Sequence, residues 1–288
     1  MHGYVNCIGH EASEGQLLIG GTHTALFDCG MMFCAAKTIE NVKKALAGRH
    51  LDYIFATHTH YDHIGALPFF RAAWPGLRLV ASEAGAAVLL KDTPRRIYRE
   101  LSAMAARDQG VALDLSYNDD VFHADTTVKE GDRISLGGLT VEVLETPGHT
   151  RDCLSYFIPE SALLLLSETP GVLVPDGSLC PTYLTGYADT IASIEKCRRV
   201  SFADLALPHR GIVGREAAEG FFDRALVMNA GCHAYILGMK DSGLAENKML
   251  APFFRKYGAV VSFGLQPKKA FMINARATIT CSLREAAA

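Results

Sequence analysis

The chain opens with short apolar stretches broken by glycine pairs. Over residues 4–30 the segment GQLLIGGTHTALFDCG follows this pattern, which predicts hairpin strands with a turn near Gly20 and Gly21. From residue 38 the period changes. Ile39, Val42 and Leu46 fall on one stripe and Gly48 ends it, the signature of a short amphipathic helix over 38–48. The apolar run 51–57 (LDYIFAT) predicts a strand, and a second helix is expected from near Ile64 to the Pro75-Gly76 turn. Together these form a βα unit. Residues 77–81 repeat the strand, and 83–108 read as mostly helical with an interruption near Thr93-Pro94. The stretch 110–128 has no clear period and is expected to be an irregular insertion or lid.

Three strands in succession are predicted next, at 139–144, 153–158 and 162–166, each punctuated by Gly or Pro. A helix over about 189–200 then leads to an apolar strand at 202–207, and beyond Arg215 the pattern is helical to about Lys256. In the last thirty residues, VVSFGL and the alternation in INARATITCSL argue for strand or edge structure. No low-complexity linker marks a domain boundary.

Composition narrows the function classes. The 288 residues are 49% apolar and 20% charged, enough for a folded core and unlike the composition of a disordered chain. The net charge of −3 gives no broad attraction for nucleic acid or an acidic membrane. The longest aliphatic run, at 162–166, is far short of a membrane span of roughly 20 residues. The start, MHGYVNCIGH, has neither the basic nor the apolar segment of a secretion signal, so the cytoplasm is the expected compartment. Eight dispersed cysteines without a CxxC pair argue against a disulfide framework or a thiolate zinc knuckle.

The chemistry concentrates in His58-Thr59-His60-Tyr61-Asp62-His63, directly after the predicted strand 51–57. If the chain leaves that strand extended, positions i, i+2 and i+4 bring His58, His60 and Asp62 together, and the next turn brings in His63. Imidazole and carboxylate suit zinc, iron or manganese better than calcium or magnesium. Three further apolar strands are followed by a residue of ligand type: His149, Glu168 and His209. In α/β folds such strand ends collect around one cleft. Five histidines and two carboxylates exceed the needs of one tetrahedral zinc. Two metals acidifying a water toward neutral pH fit the inventory better. The bland alternatives are a polar surface loop for the cluster and capping roles for His149 and His209. His2, His10, His23, His50, His123 and His233 have no partner in sequence and read as structural or exposed. Lys91, Arg95 and Arg99 share one helical face, either solvated or turned toward an anionic substrate. Tyr117, Tyr183 and Tyr187 are candidates for packing at the rim or for donation to an oxyanion.

At HTHYDH the sequence resembles the metallo-β-lactamase superfamily, whose hallmark is His-x-His-x-Asp-His. TPGHT around His149, Glu168 after the next strand pair and LPHRG with His209 continue the order. Asp28-Cys29-Gly30 is similar to the Asp-x-Gly that supports the metal loop there without binding metal. The resemblance implies an α/β fold, the αββα four-layer sandwich, with 1–214 as the metal-binding domain and 215–288 as a mainly helical C-terminal extension packed on it. It implies two divalent transition metal ions, zinc first, with iron and manganese as alternatives. His58, His60 and His149 would hold one ion, and Asp62, His63 and His209 the other. Glu168 stands where most members place a bridging Asp and is one methylene longer, which bears on metal separation, identity and occupancy.

The implied activity is hydrolysis of a small ester, thioester or phosphoester by a metal-bound hydroxide. The resemblance implies that the leaving group is protonated by the metal-bound water or by Asp62, the candidate catalytic residue. The overall plan is similar to members acting on thioesters or phosphoesters, including the quinolone-signalling response group. A small molecule is the expected partner, with neither nucleic acid nor membrane. Two other classes stay open: a regulatory or binding protein that keeps the fold, with the cleft plugged by 110–128, and a redox di-iron protein. Oxygen reductases of this fold carry Glu where His60 stands here.

Overall fold

In the computed structural model, residues 3–10, 13–264 and 266–287 are described, with backbone alone for 3–10, 13, 14, 215 and 216. His2 lies outside the described residues, as do the side chains of Cys7 and His10. Among the described residues, the first sheet runs in chain order through β1 (Gly3–His10), β2 (Ser13–Ile19), β3 (Thr24–Phe27), β4 (Tyr53–Phe55), β5 (Arg78–Ser82) and β6 (Thr126–Val128). The first three strands are antiparallel, as short glycine turns permit. From β3 onward neighbours are parallel, so each connection must cross over through helices. These are α1 (Ala35–Leu46), then α2 (Tyr61–Ile64) and α3 (Leu67–Ala73), then α4 (Glu83–Leu89) and α5 (Asp92–Asp108).

The second sheet contains β7 (Arg133–Ser135), β8 (Thr140–Glu145), β9 (Leu154–Ile158) and β10 (Leu163–Leu165). A hairpin of β11 (Val172–Leu173) with β12 (Leu179–Cys180) and helix α6 (Tyr187–Arg198) lead back to β13 (Asp204–Leu207), parallel to β10, and then β14 (Gly211–Val213). Helices α7 (Arg215–Ala218), α8 (Phe221–Asp241), α9 (Glu246–Tyr257), α10 (Ala259–Ser262) and α11 (Lys268–Glu285) follow. No helix of the described residues is long and apolar enough to cross a membrane.

Strand alternation sorts the side chains into layers. Leu18, Phe27, Phe55 and Val80 of the first sheet meet Val141, Val143, Tyr156, Leu163 and Leu165 of the second. Leu17, Leu26, Ile54 and Leu79 face the other way, into a cluster with Val42, Phe70 and Leu101 of α1, α3 and α5. Leu164, Leu166, Leu205 and Leu207 turn to Ile194, Phe221 and Phe222 of α6 and α8. Each such buried side chain contributes about 1.5–3 kcal/mol. The expected αββα sandwich is therefore the fold. Phe27 stacks on Phe55 at 5.2 Å, Tyr156 meets both edge-on, and the Tyr156 hydroxyl crosses the sheets to donate to the Ala56 carbonyl at 2.6 Å.

Three expectations change. The helical break falls at Leu90 and Lys91, because Pro94 fits the first turn of α5, where its missing N–H costs nothing. The segment 110–128 is not wholly irregular: it ends in β6, which extends the first sheet. The described residues among the last thirty are mainly helical, in α10 and α11, not strand. In α11, Ala270, Phe271, Ala275, Thr278, Ile279 and Ser282 are buried, a stripe with helical spacing. The β-branched Thr278, Ile279 and Thr280 hid that stripe behind an apparent alternation.

Candidate metal centre

His58 follows the end of β4, and the chain stays extended only to His60 (φ −74°, ψ 155°), where α2 begins. The helix start divides the motif. Asp62 leaves the extended run and joins His63, rather than meeting His58 and His60 as an uninterrupted extended stretch would require. Two groups result, each with its possible ligand atoms within 4.8 Å of one another: His58, His60 and His149; and Asp62, His63, Glu168 and His209. The seven residues come from the ends of β4, β8, β10 and β13, which open on the same side of the sandwich.

In the first group, His60 Nδ1 and His149 Nε2 stand 3.0 Å apart. His58 Nε2 is buried with no hydrogen-bond partner. A buried, unpartnered ring nitrogen costs roughly 1–3 kcal/mol unless something satisfies it, and a cation held with the neighbouring imidazoles would do so. In the second, His209 Nε2 bonds closely to Glu168 Oε1, His63 Nε2 lies 3.2 Å from the same oxygen, and Asp62 Oδ2 is 3.9 Å from His209 Nε2. The other oxygen of Glu168 is 3.1 Å from His149 Nε2. The Glu168 carboxylate thus lies between the two groups.

The outer nitrogens are oriented by groups that fix the tautomer. His63 Nδ1 donates to Asp28 Oδ2 at 2.8 Å, and Asp28 also accepts from Thr57 N and Thr57 Oγ1, both at 2.8 Å. Asp28 adopts φ 57° to make these contacts, and His209 also has a positive φ of 60°. His149 Nδ1 donates to the Thr182 carbonyl at 2.6 Å. Gly148 (φ 141°) leads into His149 where a Cβ would lie 2.8 Å from Thr190 Cα, so a bulkier residue would push the imidazole out of place.

A clamp on Thr59 escaped the sequence reading. Asp152 Oδ2 accepts from both Thr59 N and Thr59 Oγ1 at 2.8 Å, and the Tyr98 hydroxyl donates to the Thr59 carbonyl at 2.6 Å. The residue between His58 and His60 is therefore held on both sides of its backbone. The available signal was a lone Asp between the His149 turn and the apolar strand LSYFI.

Other candidates lie elsewhere. Arg95 and Arg99 donate to the carbonyls of Leu115, Tyr117 and Phe122 and pair with Asp119 and Asp120, so they pin the 110–128 segment rather than face a substrate. Lys91 is exposed. Tyr183 is buried against Ser282, Tyr187 stacks on His233, and Tyr117 packs on Phe122. His23, His50 and His123 bond to Thr22, Pro75 and Asp120.

Burial splits the imidazoles electrostatically. It pulls His58 well below the ordinary range, and the imidazoles of His63, His60 and His149 add to the effect. It brings His149 down to about 4 against the opposing pull of Glu168. For His63 burial acts downward too, but the Asp28 carboxylate outweighs it and lifts the group well above its usual value. His209 is raised as well, its hydrogen bond to Glu168 overcoming burial. Burial alone would raise Glu168, yet the surrounding His149, His209 and His63 hold it well below the carboxylate range.

This gives a pH prediction for metal-free protein. His63 and His209 hold their protons to higher pH than an ordinary imidazole, whereas His58 and His149 lose theirs at lower pH, and a cation must displace whatever protons its ligands carry. Loading the group of His63 and His209 should therefore release more protons than loading the other, and affinity in that step should rise more steeply with pH. Calorimetry in buffers of different ionisation enthalpy measures both steps; equal proton release would contradict the split.

A model of the metallo-beta-lactamase superfamily matches residues 16–167, slightly more than half the chain. Among curated proteins, a hydroxyacylglutathione hydrolase of Rhodopseudomonas palustris is 32% identical over 125 residues, covering 43% of this chain and 36% of that protein. Glyoxylase B2 of Dictyostelium discoideum is 28% identical over 141 residues, covering 49% and 42%. The chain thus spans less than half the length of these relatives. Among solved structures, a metallo-beta-lactamase family protein from Thermus thermophilus aligns over 99% of this chain and 94% of its own, with a TM-score of 0.61 and 18% identity.

Proposed function

We propose that this chain, which belongs to the metallo-beta-lactamase superfamily, is a metal-dependent hydrolase of a small ester, thioester or phosphoester. In this reading residues 1–214 form the metal-binding domain and 215–288 the helical extension that roofs it. His58, His60 and His149 would hold one divalent transition ion, Asp62, His63 and His209 a second, and Glu168 would touch both. Zinc is the proposed metal, since imidazole-rich sets with a few carboxylates suit it. When bound, such a pair polarises the substrate oxygen and acidifies water toward neutral pH.

The observation that carries the reading is the Glu168 carboxylate between two imidazole groups, with His58 Nε2 left unpartnered. Asp62 is half-buried and lines three cavities, one beside His60, one beneath α9, α10 and α11, and one beside Asp28 and His63. In this reading its carboxylate would pass a proton to the departing oxygen or sulfur. By accepting from Nδ1, Asp28 and the Thr182 carbonyl leave Nε2 of His63 and of His149 as the nitrogen that would face an ion. No residue of 110–128 lines any of these cavities, so the plugged-cleft basis for a purely regulatory role falls away. The Rhodopseudomonas palustris relative, named as a hydroxyacylglutathione hydrolase, supports the small-molecule class, and the net charge of −3 weighs against nucleic acid.

Metal analysis of protein purified without chelator should give about two transition ions per chain. Chelation should remove both the metal and the hydrolysis of generic esters, thioesters or phosphodiesters, and added zinc, iron or manganese should restore them. Metal-free protein under those conditions, refractory to reconstitution, would refute the reading.

A further inference from the structure

The cavity beside His60 and Asp62 is a cleft of about 340 Å³ between α5 and α11. One wall is Val88, Pro94, Ile97 and Leu101, and the facing wall is Ala270 and Ile273. Ile97 and Ile273 remain 39% and 55% exposed, so apolar surface lines the approach to the centre as well as its depth. Lys269 is the only cation among the lining residues, against Glu100, Asp62 and Asp152. Apart from any bound metal, the walls therefore carry more negative than positive groups and offer an anionic substrate no net compensating charge, whereas a neutral chain gains by covering them. The cavity on the Glu168 and His209 side holds only about 30 Å³, closed by Phe253, Val260 and Phe271. It has room for a water or a methyl group, so a longer substituent must lie in the α5–α11 cleft.

We propose that the substrate is a neutral carboxylic ester or thioester whose apolar acyl chain lies between α5 and α11. This rests on the hydrolase reading and narrows it, setting phosphoesters aside. The acyl–oxygen or acyl–sulfur bond breaks, water supplies the new carboxylate oxygen, and the leaving alcohol or thiol takes a proton.

The probes are acetyl, butyryl, hexanoyl and octanoyl thioesters of N-acetylcysteamine, alkyl-thiol acetates of the same lengths, and bis-p-nitrophenyl phosphate, with metal-loaded enzyme. The expected result is a kcat/KM that rises about threefold to fourfold per methylene of acyl chain until the cleft is filled. Ile273→Asp should lower the octanoyl-to-acetyl ratio by about tenfold or more, because a charge would meet the chain. Val227→Asp, on an exposed position of α8 outside the cleft, should leave that ratio unchanged. A flat acyl series, a rise only with the thiol side, preference for the phosphodiester, or an unchanged ratio in Ile273→Asp would each overturn this proposal while leaving the hydrolase standing. Turnover of none of the probes by protein carrying two ions would instead remove the hydrolase reading.

Discussion

Replacing both His58 and His60 with Ala is expected to lower hydrolysis by about 10⁴-fold or more, because one ion loses two of its three imidazoles and polarisation and water activation go with it. Metal content should fall to one ion per chain or fewer. The fold should survive. The buried His58 ring is pulled toward neutrality and lacks a partner for Nε2, so its removal relieves an unsatisfied polar atom as it opens a small cavity, and the two effects oppose each other. The thermal midpoint of the metal-free variant should therefore stay close to that of the parent, while the rise on adding metal is largely lost. Full metal content together with undiminished turnover would show that the first group is not where the chemistry occurs.

Asp28→Asn tests the support of the second group without disturbing the backbone. Asn tolerates the positive φ at this position, so strain is not introduced. Its amide keeps one oxygen for Thr57 N but turns an N–H toward His63 Nδ1, where Asp28 now accepts. Two donors cannot share that contact, so the imidazole shifts its proton to Nε2, the nitrogen that faces Glu168. Affinity in the second group should fall by about 10- to 100-fold. Without the Asp28 carboxylate the His63 pKa should drop, since that charge is what raises it. A raised imidazole stabilises the metal-free fold at pH below its ordinary value and loses that contribution as pH rises through its folded value. The variant should therefore lose stability mainly on the acidic side of neutrality. Metal titration and melts across pH 5 to 8 check both parts; unchanged affinity would show that the hydrogen bond to Asp28 does not select the tautomer.

Much of this was legible in the sequence because the decisive signals are local. HTHYDH places four ligand types within one β4–α2 junction, and His149, Glu168 and His209 each follow an apolar strand, where α/β folds gather their sites. The layers could be read for the same reason: Leu163 to Leu166 is a continuous apolar run, as a strand buried on both faces must be. What stayed hidden was of two kinds. Asp152 holds Thr59 across 93 positions, a separation at which no periodicity gives warning. The C-terminal helix α11 was misread because its buried stripe includes Thr278 and Ser282, polar residues that break the apolar pattern yet face the interior. That error mattered, since α11 supplies one wall of the cleft.

Each six-stranded sheet draws its strands from one half of the chain, β1 to β6 for the first and β7 to β10 with β13 and β14 for the second, and the proposed ligands divide between the halves, four on the first and three on the second. On the ribosome the first half emerges with all four of its donors and nothing opposite them. A complete coordination sphere exists only after His209 has left the exit tunnel and the two halves have closed face to face. If these seven residues hold the ions, capture of a full pair would come at the end of assembly, and the finished pocket, rather than the nascent motif, would choose which metal stays.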